Sequence, residues 1–365
     1  MRIGIPKEIK NREHRVSVTP DGVKALVAAG HALVVEVAAG ADSSFSDQSY
    51  IDAGATVVTA AEEVWCCELV VKVKEPLASE YCYFRPELML FTYLHLAAVP
   101  ELASSLQSAG VCAIGYETVQ LDSGQLPLLA PMSQVAGKVA AQLAVQYLQK
   151  ESGTGITGMG RLVGPMGAQP AAKVVILGAG NVGISAAEVV APLGAAVMLL
   201  EADDRRIDQL QHQTHENIQV VHYTHANLLK LLPDCDILIG AALIPGKHAP
   251  MLLKRSDIAR MKQGCVFVDV AIDQGGMSET SRATSFAEPV YLEEGVIHCC
   301  LPNLPSAVPQ SSTAALTHAT LPYIQKIADL GLDAAIKEDP AIKLGVNIRD
   351  GKIVHKGVRA ALSSK

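Results

Sequence analysis

Lys173-Val174-Val175-Ile176-Leu177-Gly178-Ala179-Gly180-Asn181-Val182-Gly183 is the segment that most limits what this chain can become. An apolar, β-branched run ends in Gly-x-Gly-x-x-Gly, and a helical pattern follows over 184–193. Each glycine has a task that follows from lacking a Cβ. Gly178 lets the chain turn sharply off the strand, Gly180 lets a pyrophosphate approach the backbone, and Gly183 lets the helix lie close to the sheet. The N–H groups of the turn and of the helix N-terminus, from Ala179 through Asn181 and Val182, face the phosphates with the positive end of the helix dipole. A second apolar strand over 196–200 ends at Glu201. A carboxylate about twenty residues past the glycines binds the ribose hydroxyls of NAD and repels the extra phosphate of NADP. A strand-to-helix turn without a ligand explains the glycines alone, but not the second strand and its acid. NAD is therefore the expected cofactor.

The fingerprint begins only at residue 173, so what precedes it is long enough for a domain of its own. With 365 residues the chain is expected to form two domains. A net charge of −7 and the absence of any basic run argue against nucleic acid or an anionic membrane as partner. No stretch is long and apolar enough to span a bilayer. The N-terminus is charged and strand-like, without the apolar core of a signal peptide, so a cytoplasmic protein is expected. Eight cysteines in a chain of this length are not a disulfide framework. None shows Cys-x-x-Cys spacing, so no metal site is expected. Most read as small buried hydrophobes, and a role for Cys300 is left open.

The N-terminal half alternates strands (2–6, 32–37, 69–74, 88–92, 111–113) with helical segments. Thr19 caps a helix that has Pro20 at its first position and runs to Gly30. Residues 133–150 read as one long helix, with Val135, Val139, Leu143, Ala144 and Tyr147 at helical spacing. Residues 151–170 hold six glycines and two prolines, which predicts a mobile loop or hairpin with no packed element. Further strands are expected near 173, 196, 219, 236, 266 and 295. A helical tail from 312, richest over 313–330, leads to an extended piece at 346–355, and the chain is expected to return to its first domain. The class is α/β, with two doubly wound parallel-sheet (Rossmann-like) domains and an active site in the cleft between them. The boundaries are 1–132 plus 307–365 for a discontinuous catalytic domain, and 133–306 for the NAD-binding domain.

Several polar residues interrupt apolar strands. Arg15, in the loop after the first strand, could clamp a substrate carboxylate or be a solvated loop arginine. Lys72 and Lys74 fall on one face of a strand. They mark either a strand end opening into a cleft or an edge strand protected from aggregation. His95 follows an apolar strand. It is suited to proton transfer, or is a satisfied core group. Asp269 interrupts the strand at 266 and Asp273 carries it into a Gly-Gly turn, at the strand end where ligands bind in such sheets. Asn303 could reach the cofactor or merely make a turn.

Taken together these segments closely resemble the alanine dehydrogenase family. The resemblance is carried by Gly-Ile-Pro-Lys-Glu-Ile-Lys from Gly4, Val-Lys-Val-Lys-Glu-Pro from Val71, Thr-Tyr-Leu-His-Leu-Ala from Thr92, Pro-Leu-Leu-Ala-Pro-Met-Ser from Pro127, and Val-Asp-Val-Ala-Ile-Asp-Gln-Gly-Gly from Val268. It runs in order from residue 1 to about 355. It implies oxidative deamination of L-alanine to pyruvate and ammonium with reduction of NAD, and the reverse amination, by a homohexamer. By the resemblance, Arg15 and Lys74 hold substrate, His95 is the main acid/base group and Asp269 the second catalytic group. Tyr93 and Met132 line the pocket. Ser133, the 178–183 loop, Glu201, Asp269 and Asn303 serve the cofactor. Two departures stand out: the family usually has Asp at Glu201, and the 301–310 loop differs around Pro302, Leu304, Ser306 and Gln310. The rivals are a related dehydrogenase with a changed substrate, a transhydrogenase-like NAD(H)-binding protein, which would lack His95, and a catalytically silent NAD-binding protein.

Overall fold

The computed structural model describes residues 1–211, 215–242 and 249–363. Its strands in chain order are β1 (Arg2–Ile5), β2 (Ala32–Glu36), β3 (Thr56–Val58), β4 (Leu69–Val71), β5 (Met89–Thr92), β6 (Cys112–Gly115), β7 (Lys173–Leu177), β8 (Ala196–Glu201), β9 (Ile218–His222), β10 (Ile237–Gly240), β11 (Val266–Asp269), β12 (Tyr291–Glu293), β13 (Val296–Cys299), β14 (Val346–Arg349) and β15 (Lys352–Ile353). Among the described residues they form two sheets, ordered β15-β14-β6-β5-β4-β1-β2-β3 and β12-β13-β11-β10-β7-β8-β9. Taking the parallel strands of each sheet in chain order, both read 3-2-1-4-5-6, the doubly wound order of dinucleotide-binding folds. The antiparallel additions, β14 with β15 and β12, lie at sheet ends.

The chain divides into two compact units, Met1–Met132 with Val308–Lys365, and Ser133–Ala307. In the first, β4 is apolar and buried along its length (Leu69, Val70, Val71), as a central parallel strand must be. The helix Pro20–Ala28 starts as its sequence dictates. Thr19 accepts the Gly22 N–H, and Pro20 occupies the first turn, where no backbone donor is needed. The helix Pro309–Leu330 is stitched to this unit by side-chain hydroxyls, with Thr313 Oγ1 accepting the Val16 N–H and Thr317 Oγ1 the Thr19 N–H, each at 3.1 Å. In the second unit the helix Asn181–Val190 buries Gly183, Ser185, Ala186 and Ala187, small residues that let it lie against the sheet.

Two expectations change. β4 stops at Val71 rather than 74, because Glu8 Oε1 takes the N–H groups of Val73 (2.6 Å) and Lys74 (3.3 Å). The long helix is Ala130–Tyr147, beginning three residues before the expected 133. Pro131 sits in its first turn, where proline is tolerated. The 151–170 segment contains no helix or strand, as a loop should, and 165–170 is exposed throughout, but hydrogen bonds tie its middle down. Gly158 donates to Gln149 O and Met159 to Gly264 O. Arg161 bonds the carbonyls of Pro170 and Ala171 and pairs with the fully buried Asp236, which Lys262 also meets at 3.0 Å.

Candidate active site and dinucleotide site

In the first unit the functional side chains come from strand ends at the point where strand order reverses, between β1 and β4, and from neighbouring β5. The loop after β1 carries Glu8, Glu13 and Arg15; that after β4 carries Lys72, Lys74 and Glu75; β5 leads into Tyr93 and His95.

Arg15 is 2% exposed, which removes the solvated-loop reading. Glu13 grips it in two-pronged fashion, accepting from Nε and from Nη2 at 2.6 Å each, while Nη1 meets Met132 Sδ at 3.1 Å. Such a fork fixes the guanidinium plane as well as its position. Lys74 is half-buried, and burial lowers its proton affinity. The charge of Arg15 lowers it further, against the pull of Glu13. The two cations are near enough for the charge of one to act on the other.

Lys72 parts company with Lys74. It is 1% exposed and paired with Glu80 at 2.7 Å and Glu8 at 3.4 Å. The edge-strand reading fails as well, since β4 lies inside its sheet between β1 and β5. Burial raises the proton affinity of Glu8 despite Lys72, as expected where one ammonium faces two carboxylates. Lys72 is a buried support for the Val73–Lys74 backbone rather than a cleft residue.

His95 is half-buried, and its ring stacks on Tyr93 with centroids 5.9 Å apart at 11°. Among the described residues no protein group hydrogen-bonds its imidazole. His298 shows what a satisfied core histidine looks like here. It is fully buried, with Nδ1 3.0 Å from Val296 O and Nε2 2.8 Å from Thr280 Oγ1, and burial lowers its proton affinity. His95 has neither the burial nor the partners. Tyr93 is 4% exposed and donates to Leu128 O at 2.6 Å. Met132 is also buried.

In the second unit the glycine turn has the expected geometry. Gly178 has φ +100°, a conformation that L side chains rarely adopt. A Cβ on Gly183 would lie 1.9 Å from Gly178 O, whereas one on Gly180 would meet nothing within 4 Å. The space beside Gly180 is open, in contrast to the tight packing at Gly183. Asn181 is exposed and Val182 half-buried at the start of the helix. Ser133 is half-buried near the start of Ala130–Tyr147, a helix that crosses close to Val182: a Cβ on its Gly137 would be 2.1 Å from Val182 O. Glu201 Oε2 accepts the Ala179 N–H at 2.9 Å, and its Oε1 accepts from Ala202 and Asp203. The acid at the end of β8 is thus fixed against the glycine turn.

Asp269 ends β11 and is fully buried. Oδ1 accepts from Ala271 N, and Oδ2 from Met277 N (2.7 Å) and Ser281 Oγ (2.6 Å). Burial raises its proton affinity against these donors. Asn303 is left-handed (φ +54°) and does make a turn, its carbonyl accepting from Ser306 N and Oγ. Cys300 is buried and its thiol is pushed up to about 11, which leaves it without thiolate reactivity. Among the described residues there is no group of side chains able to hold a metal ion, and no helix is long and apolar enough to cross a membrane.

Sequence reasoning missed Glu13 and Glu117. Glu13 reads as one more charge in a polar loop, but its spacing of two from Arg15 is the available signal. Glu117 directly follows an apolar strand, Ala113-Ile114-Gly115-Tyr116, the same signal that singled out His95.

Two family models cover the chain. That described as "Alanine dehydrogenase/PNT, N-terminal domain" matches residues 4–136, and its C-terminal counterpart matches 140–356. An alanine dehydrogenase of Staphylococcus haemolyticus (strain JCSC1435) is 46% identical over 362 residues, covering 99% of this chain and 96% of that protein. Alanine dehydrogenase 2 of Staphylococcus aureus (strain USA300) is 44% identical over the same share of each. A solved L-alanine dehydrogenase superimposes with a TM-score of 0.95 at 42% identity, covering 100% of this chain and 99% of the other. A transhydrogenase from Sinorhizobium meliloti superimposes with a TM-score of 0.83 at 25% identity, covering 98% and 99%. Matched in both halves by one pair of family models and along its whole length by these relatives, the chain belongs to the alanine dehydrogenase/PNT family.

Proposed function

We propose that this chain catalyses the NAD-dependent oxidative deamination of L-alanine to pyruvate and ammonium, and the reverse amination. The observation that carries the reading is the mutually interacting cations Arg15 and Lys74, with Arg15 beside Tyr93, whose ring stacks on the imidazole of His95. Full-length relatives that are alanine dehydrogenases support the same substrate.

The residues divide the work. Arg15, its plane fixed by Glu13, meets the carboxylate of alanine, and Lys74 holds the same acid and polarises the carbonyl oxygen of pyruvate. Both orient the Cα–H. Tyr93 and Met132 line the pocket. Nicotinamide, when bound, accepts the hydride from Cα. His95 takes a proton from the water that adds to the resulting iminium carbon and returns it to the amine of the carbinolamine; ammonia then leaves as the C=O bond forms, and the released hydroxyl proton makes it ammonium. Asp269 is the proposed second proton-handling group. Its raised proton affinity suits the task, and its complete enclosure by its own turn suits a supporting role equally. The 178–183 turn, Glu201, Ser133, Asp269 and Asn303 hold the cofactor, with Glu201 favouring NAD over NADP. We further propose a cytoplasmic homohexamer, which light scattering of the purified protein tests.

NADH formation with L-alanine, with a panel of other L-amino acids, and with NADP in place of NAD tests the proposal. Turnover confined to alanine and NAD is expected. Turnover on a different amino acid would move the substrate and leave the chemistry. NADH binding without any turnover would favour the transhydrogenase-like or silent readings.

A pH dependence follows from Lys74. Only its protonated form attracts the substrate carboxylate, and burial together with Arg15 lowers its pKa. As pH rises through that lowered value the charge is lost while Arg15 keeps its own. KM for alanine should therefore begin to climb below the ordinary lysine range of about 10.4. A KM that stays flat up to that range would show that the Lys74 charge plays no part in binding.

A further inference from the structure

His95 has an unusual backbone. Its φ is +48°, left-handed, for a residue that carries a full side chain. Such a conformation is strained for a residue with a Cβ and persists only where surrounding structure holds it. The holder is visible. Glu117 lies in the 3-10 turn Tyr116–Thr118 that leaves β6, the neighbour of β5. Its Oε1 accepts the His95 N–H at 2.7 Å and the Leu94 N–H at 3.1 Å, and its Oε2 also meets the Leu94 N–H at 3.2 Å. These are charge-assisted bonds to two successive backbone donors, stronger than neutral ones. Among the described residues Glu117 forms no ion pair; its carboxylate binds this backbone, and its charge also acts on His355 and Tyr93. Room for it is made by Gly115, where a Cβ would stand 3.2 Å from Glu117 Oε2 and 2.4 Å from Asn347 Nδ2. Beyond His95 the chain turns at once, its carbonyl accepting from Ala98 N at 2.8 Å.

We propose that Glu117 is a positioning residue for His95: by binding the Leu94 and His95 N–H groups it holds His95 left-handed and so aims the imidazole, stacked on Tyr93, at the substrate. This rests on the reading of His95 as proton carrier. Glu117 itself exchanges no proton with substrate.

The test uses the full-length protein and four variants: Glu117→Ala, Glu117→Gln, His95→Ala and the double His95→Ala/Glu117→Ala. In Glu117→Ala, kcat should fall by about tenfold to a hundredfold, the scale of a misplacement near 1 Å. KM for alanine and NADH affinity should stay within about threefold, since Arg15, Lys74 and the glycine turn are untouched. Glu117→Gln keeps an acceptor oxygen and should recover most of the rate. Because Glu117 acts through His95, the double variant should be no slower than His95→Ala alone. Glu117→Ala within twofold of native, or losses that multiply in the double variant, would overturn the proposal. If Glu117→Ala does not fold, Glu117→Asp decides in the same way. It keeps the charge but withdraws the acceptor by one methylene, so kcat should drop while KM holds. A native rate in His95→Ala would instead refute the proton-carrier reading. A slow His95→Ala beside a native-like Glu117→Ala refutes only the positioning role.

Discussion

Arg15→Met should unfold about 3–5 kcal/mol more easily than the native chain and should lose nearly all turnover of alanine. The stability loss comes from what is left behind. Glu13 and Arg15 are both buried and joined by a two-pronged ion pair. Removing one partner of a buried pair leaves the other ionised in a poor solvent, which costs about that amount. The pH dependence gives the loss a signature. Without Arg15, the folded-state pKa of Glu13 rises above its unfolded value near 4.3. The deficit is then absent where the carboxyl is protonated in both states, and it grows as pH rises through the raised value. Urea unfolding of Arg15→Met should therefore show a smaller deficit at acidic than at neutral pH. The double variant Arg15→Met/Glu13→Gln should regain most of the stability and none of the activity. An Arg15→Met protein as stable as native at neutral pH would mean that the pair contributes nothing to the fold.

Gly183→Ala and Gly180→Ala should separate fold from cofactor. A methyl group added at Gly183 would sit 1.9 Å from the backbone oxygen of Gly178, and neither atom belongs to a flexible side chain. The helix Asn181–Val190 must then move off its sheet. Tm should fall by several degrees and NADH affinity by more than about tenfold, since forcing an extra methyl group into a packed contact costs about 1–3 kcal/mol and displaces the N–H groups that hold phosphate. At Gly180 the backbone is ordinary (φ −77°) and the added methyl meets nothing. Tm should stay where it is, yet NADH binding should weaken strongly, because the methyl takes the space a pyrophosphate needs. Thermal melts with NADH titrations decide the matter. Undiminished affinity in Gly180→Ala would place the pyrophosphate elsewhere.

The glycine turn was legible because glycine is the residue of choice for a left-handed φ or a contact closer than a Cβ allows, so its spacing states a backbone shape directly. The apolar runs of β7, β10 and β11 were legible for a similar reason: a central parallel strand leaves no polar face. The carboxylates that arrange the first unit were not. Glu13, Glu8 and Glu117 act on a guanidinium or on backbone N–H groups, and no side-chain pattern in sequence marks an exposed backbone donor. For the same reason Lys72 and Lys74 looked alike. Their different fates depend on Glu8 ending β4 early and on Glu80 meeting only one of them. The anchoring of Arg161 in the 151–170 loop depends on Asp236, far along the chain, which no pattern within the loop announces.

The first sheet draws its last two strands from residues 346–353, while the second unit lies between as one uninterrupted stretch, Ser133–Ala307. On the ribosome this sets an order of events. The inserted unit can close as soon as it has emerged. The N-terminal strands must wait for β14, and until it arrives β6 presents an open edge to any other chain nearby. At roughly 5–20 residues per second the wait is on the order of tens of seconds. Crowded polysomes and slow codons downstream of residue 115 are therefore the conditions under which nascent copies of this protein should be most prone to pair with one another.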